Sequence, residues 1–180
     1  MIRAFLGLPV PQDVAHQLTV VQHSLLLPRP VPAQNFHISL AFLGEQREDV
    51  LEDLHLALGE RRLDAPNLQL DGLGAFGGDA PRAIHATIAP DPKLTALDKR
   101  TRQAARQAGI ALEARKFVPH VTLARFRFAE VSAPGLAAAI ARVGAVSSAP
   151  WVPEALVLYR STLRKDGADY DALAEYPLHR

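Results

Sequence analysis

His37-Ile38-Ser39-Leu40-Ala41 and His120-Val121-Thr122-Leu123-Ala124 repeat one pattern: histidine, a branched apolar residue, a hydroxyl residue, leucine, alanine. The two histidines stand nearly half of the 180-residue chain apart. In an extended strand successive side chains point to opposite faces, so His37 shares a face with Ser39, and His120 with Thr122. Ile38, Leu40, Val121 and Leu123 then turn the other way, into a core. An imidazole ordinarily titrates close to neutral pH, so two of them in one cleft can act as base and acid together. Hydroxyls beside them can donate to the non-bridging oxygens of a phosphate. These groups suit in-line displacement at phosphorus without a metal, because each motif offers one ligand and no neighbouring carboxylate.

Other residues are weaker candidates. His85-Ala86-Thr87 is a third His-x-Thr, but it lacks the Leu-Ala that follows in the other two and reads as structural or as part of the rim. His16, His23, His55 and His179 have no partner at a useful spacing and read as surface residues. Arg125 follows Thr122 by three, so a regular strand turns it away from the His120 face. A bend would be needed to swing it towards a phosphate. Arg127 has the same parity and reads as a solvated charge. Phe36 and Tyr159 are candidates for stacking on a base.

The elements that must hold these residues alternate along the chain. Residues 2–8 read as a buried strand. Val14, Leu18, Val21 and Leu25 mark an amphipathic helix over 11–27, stopped by the proline-rich 28–34. A strand over 36–42 ends at Gly44, and Val50, Leu51, Leu54 and Leu58 pattern a second helix closed by Gly59. Strands follow at 68–73 and 83–89, with a glycine-rich turn between them that lacks the setting of a dinucleotide loop. A helix over 92–108 stops at Gly109. A strand over 118–128, a short helix over 134–143 and closing strands at 151–159 and 170–178 complete the pattern. Several strands are joined by short turns, so the expected class is α+β with a mixed or antiparallel sheet. The internal echo predicts a bilobal fold: two lobes related by an approximate twofold, each with its own sheet and flanking helices, around a central cleft.

Composition narrows the function classes. Apolar residues make up 48% and charged residues 22%, which supports a packed core and excludes a disordered chain. There is no cysteine, so disulfides, thiolate metal sites and cysteine nucleophiles are excluded. No apolar run is long enough to span a bilayer, and the apolar stretch in MIRAFLGLPVP is too short for a signal peptide, which points to the cytoplasm. Twenty basic residues against 19 acidic leave a formal charge of +1. A protein gripping long nucleic acid through its phosphates shows a basic excess, so any nucleic acid met here is a short stretch or an end.

The chain resembles the two-histidine phosphoesterases, and among them the bacterial and archaeal RNA 2′,3′-cyclic phosphodiesterases, also called 2′-5′ RNA ligases. The segments that carry the resemblance are IRAFLGLPVP, FHISLAFLGE, GLGAFGGDAPR, FVPHVTLARF and LVLYRSTLRKDGADYDALAEYPL, in that order across essentially the whole chain. It implies one bilobal domain over residues 1–180, with interleaved lobes each giving one His-x-Ser/Thr strand to the cleft. It implies His37 and His120 as the catalytic pair, Ser39, Thr122 and Arg125 as phosphate-binding residues, no metal and no cofactor. The implied reaction opens a 2′,3′-cyclic phosphate at an RNA 3′ end to a 2′-phosphate, with reverse 2′-5′ ligation at the same site. The implied partner is RNA with such ends, tRNA fragments among them, acted on by a monomer that binds no membrane. Two departures stand out: Ser39 replaces the commoner threonine and keeps the hydroxyl, and AIHATIAP lacks a tryptophan often present in that strand. Two alternatives stay open: a module that binds RNA ends or a nucleotide without turnover, and a cyclic phosphodiesterase acting on a small nucleotide.

Overall fold

A computed structural model describes residues 1–165 and 167–180. In chain order the elements are β1 (Ile2–Pro9), α1 (Gln12–Leu25), β2 (His37–Gln46), α2 (Glu48–Gly59), β3 (Leu70–Phe76), β4 (Ala83–Ile88), α3 (Pro92–Gln107), β5 (His120–Arg125), α4 (Ala133–Val143), β6 (Ala155–Arg164) and β7 (Gly167–Pro177). The strands form one sheet in the order β3-β4-β5-β2-β1-β6-β7, and every neighbouring pair is antiparallel. The class is therefore α+β. Where the sequence suggested a sheet in each lobe, hydrogen bonding runs through all seven strands. The join at the centre is narrow: β2 and β5 pair only at Ile38 and Val121.

Alternation decides which face is buried. Ala4, Leu6 and Leu8 of β1, Ile38 and Leu40 of β2, Ile84 and Ala86 of β4, and Val121 and Leu123 of β5 are all buried. They form one apolar cluster with Val14, Leu18, Val21 and Leu25 of α1, Leu51, Leu54 and Leu58 of α2, and Leu94, Leu97, Ala104 and Ala105 of α3. The helices thus share one side of the sheet, as their 3.6-residue apolar stripes require. Each fully buried leucine is worth about 1.5–3 kcal/mol, so the side that carries the histidines is positioned by a well-anchored layer beneath it. Two helices are capped as their sequences dictate. The Asp91 carboxylate accepts from the Leu94 N–H at 2.7 Å at the start of α3, and the Ser132 hydroxyl accepts from the Gly135 N–H at the start of α4.

Element boundaries moved along much of the sheet, with β6 running to Arg164 and β7 starting at Gly167 where an end at 159 and a start at 170 were expected. The glycine-rich stretch is not all turn, because Gly72 to Phe76 extend β3. The β2 strand continues past Gly44, which adopts φ 71° inside it. The strand expected over 118–128 is shorter, His120–Arg125. Trp151 lies outside β6 and makes only an isolated bridge to Leu68.

Candidate active site

His37, Ser39, His120 and Thr122 are each half-buried, while the residues between and beyond them, Ile38, Leu40, Val121 and Leu123, are buried in the core. Pairing of Ile38 with Val121 fixes the arrangement. Continued one residue either way, that register sets His37 across from Thr122 and Ser39 across from His120. The histidines then lie on one diagonal, a relation that sets backbone positions roughly 7–8 Å apart, with the hydroxyls on the other. Two imidazoles and two hydroxyls are therefore directed to one face of the β2–β5 junction.

Each ring is held the same way. His37 Nδ1 lies 2.7 Å from the Asn35 carbonyl, and His120 Nδ1 lies 2.6 Å from the Val118 carbonyl, two residues upstream in both cases. A carbonyl only accepts, so Nδ1 must carry the hydrogen, and Nε2 is left to take or give a proton. The aromatic surroundings differ. Phe5 lies 4.6 Å from His37 between ring centroids, and Tyr170 meets His37 edge-on at 5.1 Å. Close packing here depends on Gly7, where a Cβ would fall 3.0 Å from the Ile38 carbonyl oxygen and 3.5 Å from His37 Cδ2. Beside His120 stand Phe76 and His85, each with its centroid 4.9 Å away.

Arg125 reaches the same face through a β-bulge. The β4–β5 ladder pairs Ile84 with Ala124 and His85 with Thr122, which leaves Leu123 as an extra residue. One inserted residue reverses the parity of everything after it. Arg125 is thereby returned to the side of His120 and Thr122. The bulge is pinned from outside the sheet: the Leu123 carbonyl accepts from the Val31 N–H at 2.8 Å and from Gln22 Nε2 at 2.7 Å.

Burial holds both imidazoles below their ordinary proton affinity. His37 is pushed down to about 4 by desolvation, with further lowering from the positive charges of Arg125 and His120, against the Asn35 carbonyl that favours its charged form. His120 moves the same way, through burial and the Arg125 charge, with the Val118 carbonyl opposing. An anion entering the cleft would offset Arg125 and raise both. Among the described residues there is no group of three or more His, Asp or Glu that could hold a metal ion.

Of the sequence candidates, His37, Ser39, His120, Thr122 and Arg125 fall on one face. Phe36 does not: it is 5% exposed in the core, on the opposite side of β2 from His37, so it offers no surface for stacking. Tyr159 is half-buried with its ring stacked on Phe5 at 4.9 Å, beside the site. His16, His23, His55 and His179 are exposed. The residues that sequence reasoning passed over are Phe5, Gly7, Tyr170 and Phe76, which carry no chemical signature of their own. His85 did carry one, yet pairing of β4 with β5, which places it next to Thr122 and His120, could not be read from its flanks.

The model of the 2′-5′ RNA ligase superfamily matches residues 10–165. The chain belongs to that superfamily. Among superfamily relatives, an RNA 2′,3′-cyclic phosphodiesterase of Geobacillus stearothermophilus is 34% identical over 82% of this chain, although the match spans only 47% of that protein's length. A Bacillus subtilis protein of the same name is 32% identical over 67% of this chain and 69% of its own. The crystal structure of Escherichia coli LigT with 3′-AMP superposes with a TM-score of 0.79 at 25% identity, covering 99% of this chain and 98% of that one. The superfamily fold thus spans the β-sheet and all four helices described above.

Proposed function

We propose that the protein hydrolyses a 2′,3′-cyclic phosphate at an RNA 3′ end, leaving a 2′-phosphate. The observation that carries this reading is the pairing of two imidazoles, each with its Nδ1 committed to a backbone carbonyl, across the Ile38–Val121 junction. One histidine takes a proton at Nε2 from water, which attacks phosphorus. The other gives the proton on its Nε2 to the departing 3′ oxygen, so the site as a whole neither gains nor loses a proton. Ser39 and Thr122 donate to the non-bridging oxygens, and Arg125 offsets the phosphate charge. With the 5′-hydroxyl of a second RNA in place of water, the same displacement, with the 3′ oxygen leaving, forms a 2′-5′ linkage at the same site. The relatives named RNA 2′,3′-cyclic phosphodiesterase support the reaction class, as does the superfamily match. The reading takes residues 1–180 as one catalytic domain acting as a monomer.

A short RNA ending in a 2′,3′-cyclic phosphate tests it. Wild-type protein should release the 2′-phosphate, while H37A and H120A should each lose about 10²–10⁴-fold in rate, the usual worth of a general acid or base. Binding of the RNA without turnover would leave a binding module. Faster turnover of the cyclic mononucleotide than of the oligomer would move the substrate to a small nucleotide.

A further inference from the structure

His85 is the one histidine on the site face with no part in the chemistry above. Its side chain is 5% exposed and its Nδ1 is buried without a hydrogen-bond partner. Such a group stays neutral, and burial, with the nearby His120 charge, pushes it down to about 4. The ring is boxed on three sides. Phe76 stacks on it at 4.3 Å, His120 lies 4.9 Å away, and Gly74 is its ladder partner on β3. A Cβ at Gly74 would come within 2.6 Å of His85 Nε2, so the Nε2 edge of the ring fills the space that a side chain there would need.

The two halves of the site differ at this position. In the first half Gly7 faces Ser39; in the second, His85 faces Thr122. Where His37 has a glycine beneath it, His120 has a neutral ring beside it.

We propose that His85 is a positioning residue for His120: clamped between Phe76 and Gly74, its uncharged ring forms the wall that fixes the plane of the His120 imidazole. The Val118 carbonyl holds one point of that imidazole, and a single hydrogen bond leaves the ring free to rotate about it. His85 and Phe76 remove that freedom, so Nε2 stays aimed into the cleft. This inference rests on the reading of His120 as one of the catalytic pair.

The test uses H85A, H85F, G74A and the double variant G74A/H85A on the cyclic-phosphate RNA, with the His120 imidazole followed by NMR titration in each. H85A should lower kcat by about 10- to 100-fold with KM little changed, because a small misplacement of a reacting group costs that much. The His120 titration in H85A should move up towards the ordinary histidine range as water enters. H85F keeps a ring of similar shape and should restore both. G74A should drive the His85 ring into His120 and slow the reaction, yet add nothing in the H85A background. Turnover at the wild-type rate in H85A, H85F as slow as H85A, or a G74A defect that persists without His85 would each overturn the proposal. Should the wild-type protein fail to hydrolyse the RNA, the functional reading falls, and the His120 titration in H85A and H85F still decides whether His85 braces that ring.

Discussion

Phe42 and Arg125 occupy the same position in the two halves of the sheet. Each follows a one-residue bulge, at Leu40 in β2 and at Leu123 in β5, and each is thereby turned to the histidine face. Phe42 is paired with Phe5, which packs on His37, and Arg125 is paired with Ala83. The repeat therefore encodes more than a histidine and a hydroxyl: its Leu-Ala is where the strand gains a residue and re-aims what comes next. One half presents a ring there, the other a guanidinium.

Arg125 should accordingly be worth a charge-assisted hydrogen bond to the phosphate. R125Q is expected to lower kcat/KM by about 10- to 100-fold, corresponding to about 1.5–3 kcal/mol. The same change removes a positive charge near both rings, so the NMR titrations of His37 and His120 should move up in the free protein. R125K should keep part of the second effect and less of the first, since an ammonium cannot form the planar fork. Unmoved titrations in R125Q would place the guanidinium away from the rings.

Gln22 lies on α1, remote from the sequence motifs, yet its Nε2 donates to both the Leu123 and Val31 carbonyls. Q22A should cost about 1–2 kcal/mol of stability, the penalty for leaving part-buried acceptors unmade. It should also reduce kcat, because the bulge that aims Arg125 loses its outside support. Chemical denaturation and steady-state kinetics on the same variant separate the two effects. A Q22A protein that is destabilised but fully active would show that the ladder alone holds the bulge.

Much of this site was legible because strand alternation is a strict rule. Given a His-x-Ser or His-x-Thr strand, the shared face follows, and Ile38, Leu40, Val121 and Leu123 are buried as that rule requires. Arg125 broke the rule, because an inserted residue leaves no mark in a single strand's pattern; it becomes visible only against the partner's register. Phe36 failed as a stacking residue for the opposite reason: one residue before His37, ordinary alternation already directed it into the core. The proximity of His85 to His120 depends on β4 pairing with β5, a long-range choice that local sequence does not specify. The single sheet was hidden likewise, since its two halves meet at only one paired position.

The pH dependence should separate the free protein from its complex. The proposed hydrolysis needs one imidazole neutral and one protonated. His37 sits at about 4 and His120 below its ordinary value in the free protein, so the bell in kcat/KM should centre on the acid side of pH 6.5. A bound phosphate offsets Arg125 and favours the imidazolium form, so the bell in kcat should lie at higher pH. Superimposable profiles would mean that the anion does not contact the histidines.

Proton transfer between two imidazoles and water calls on no Lewis acid. Protein dialysed against EDTA should therefore hydrolyse the cyclic phosphate at its original rate. A loss of rate restored by zinc would return a metal to the mechanism.

Asp98 of α3 faces the core, 5% exposed, with its Oδ1 unpartnered, and its neighbour Thr101 is fully buried and likewise unpaired. Burial pushes the Asp98 carboxyl up to about 6, with Arg102, Arg106 and Lys99 pulling only partly against it. Between the unfolded value of 3.8 and about 6 the folded state binds the extra proton, so this group costs stability above pH 6 and the cost fades as pH falls. His37 and His85 act with the opposite sign: each is depressed to about 4 from 6.5, the unfolded chain binds the extra proton, and stability drops as pH falls from 6.5 to 4. D98N should therefore stabilise the protein at pH 7 by on the order of 1–3 kcal/mol. It should also steepen the loss of stability on acidification, because the compensating group is gone. Denaturant midpoints for wild type and D98N at pH 7.5 and pH 4.5 measure both; a D98N protein no more stable than wild type at pH 7.5 would mean that the carboxylate has found a partner in solution.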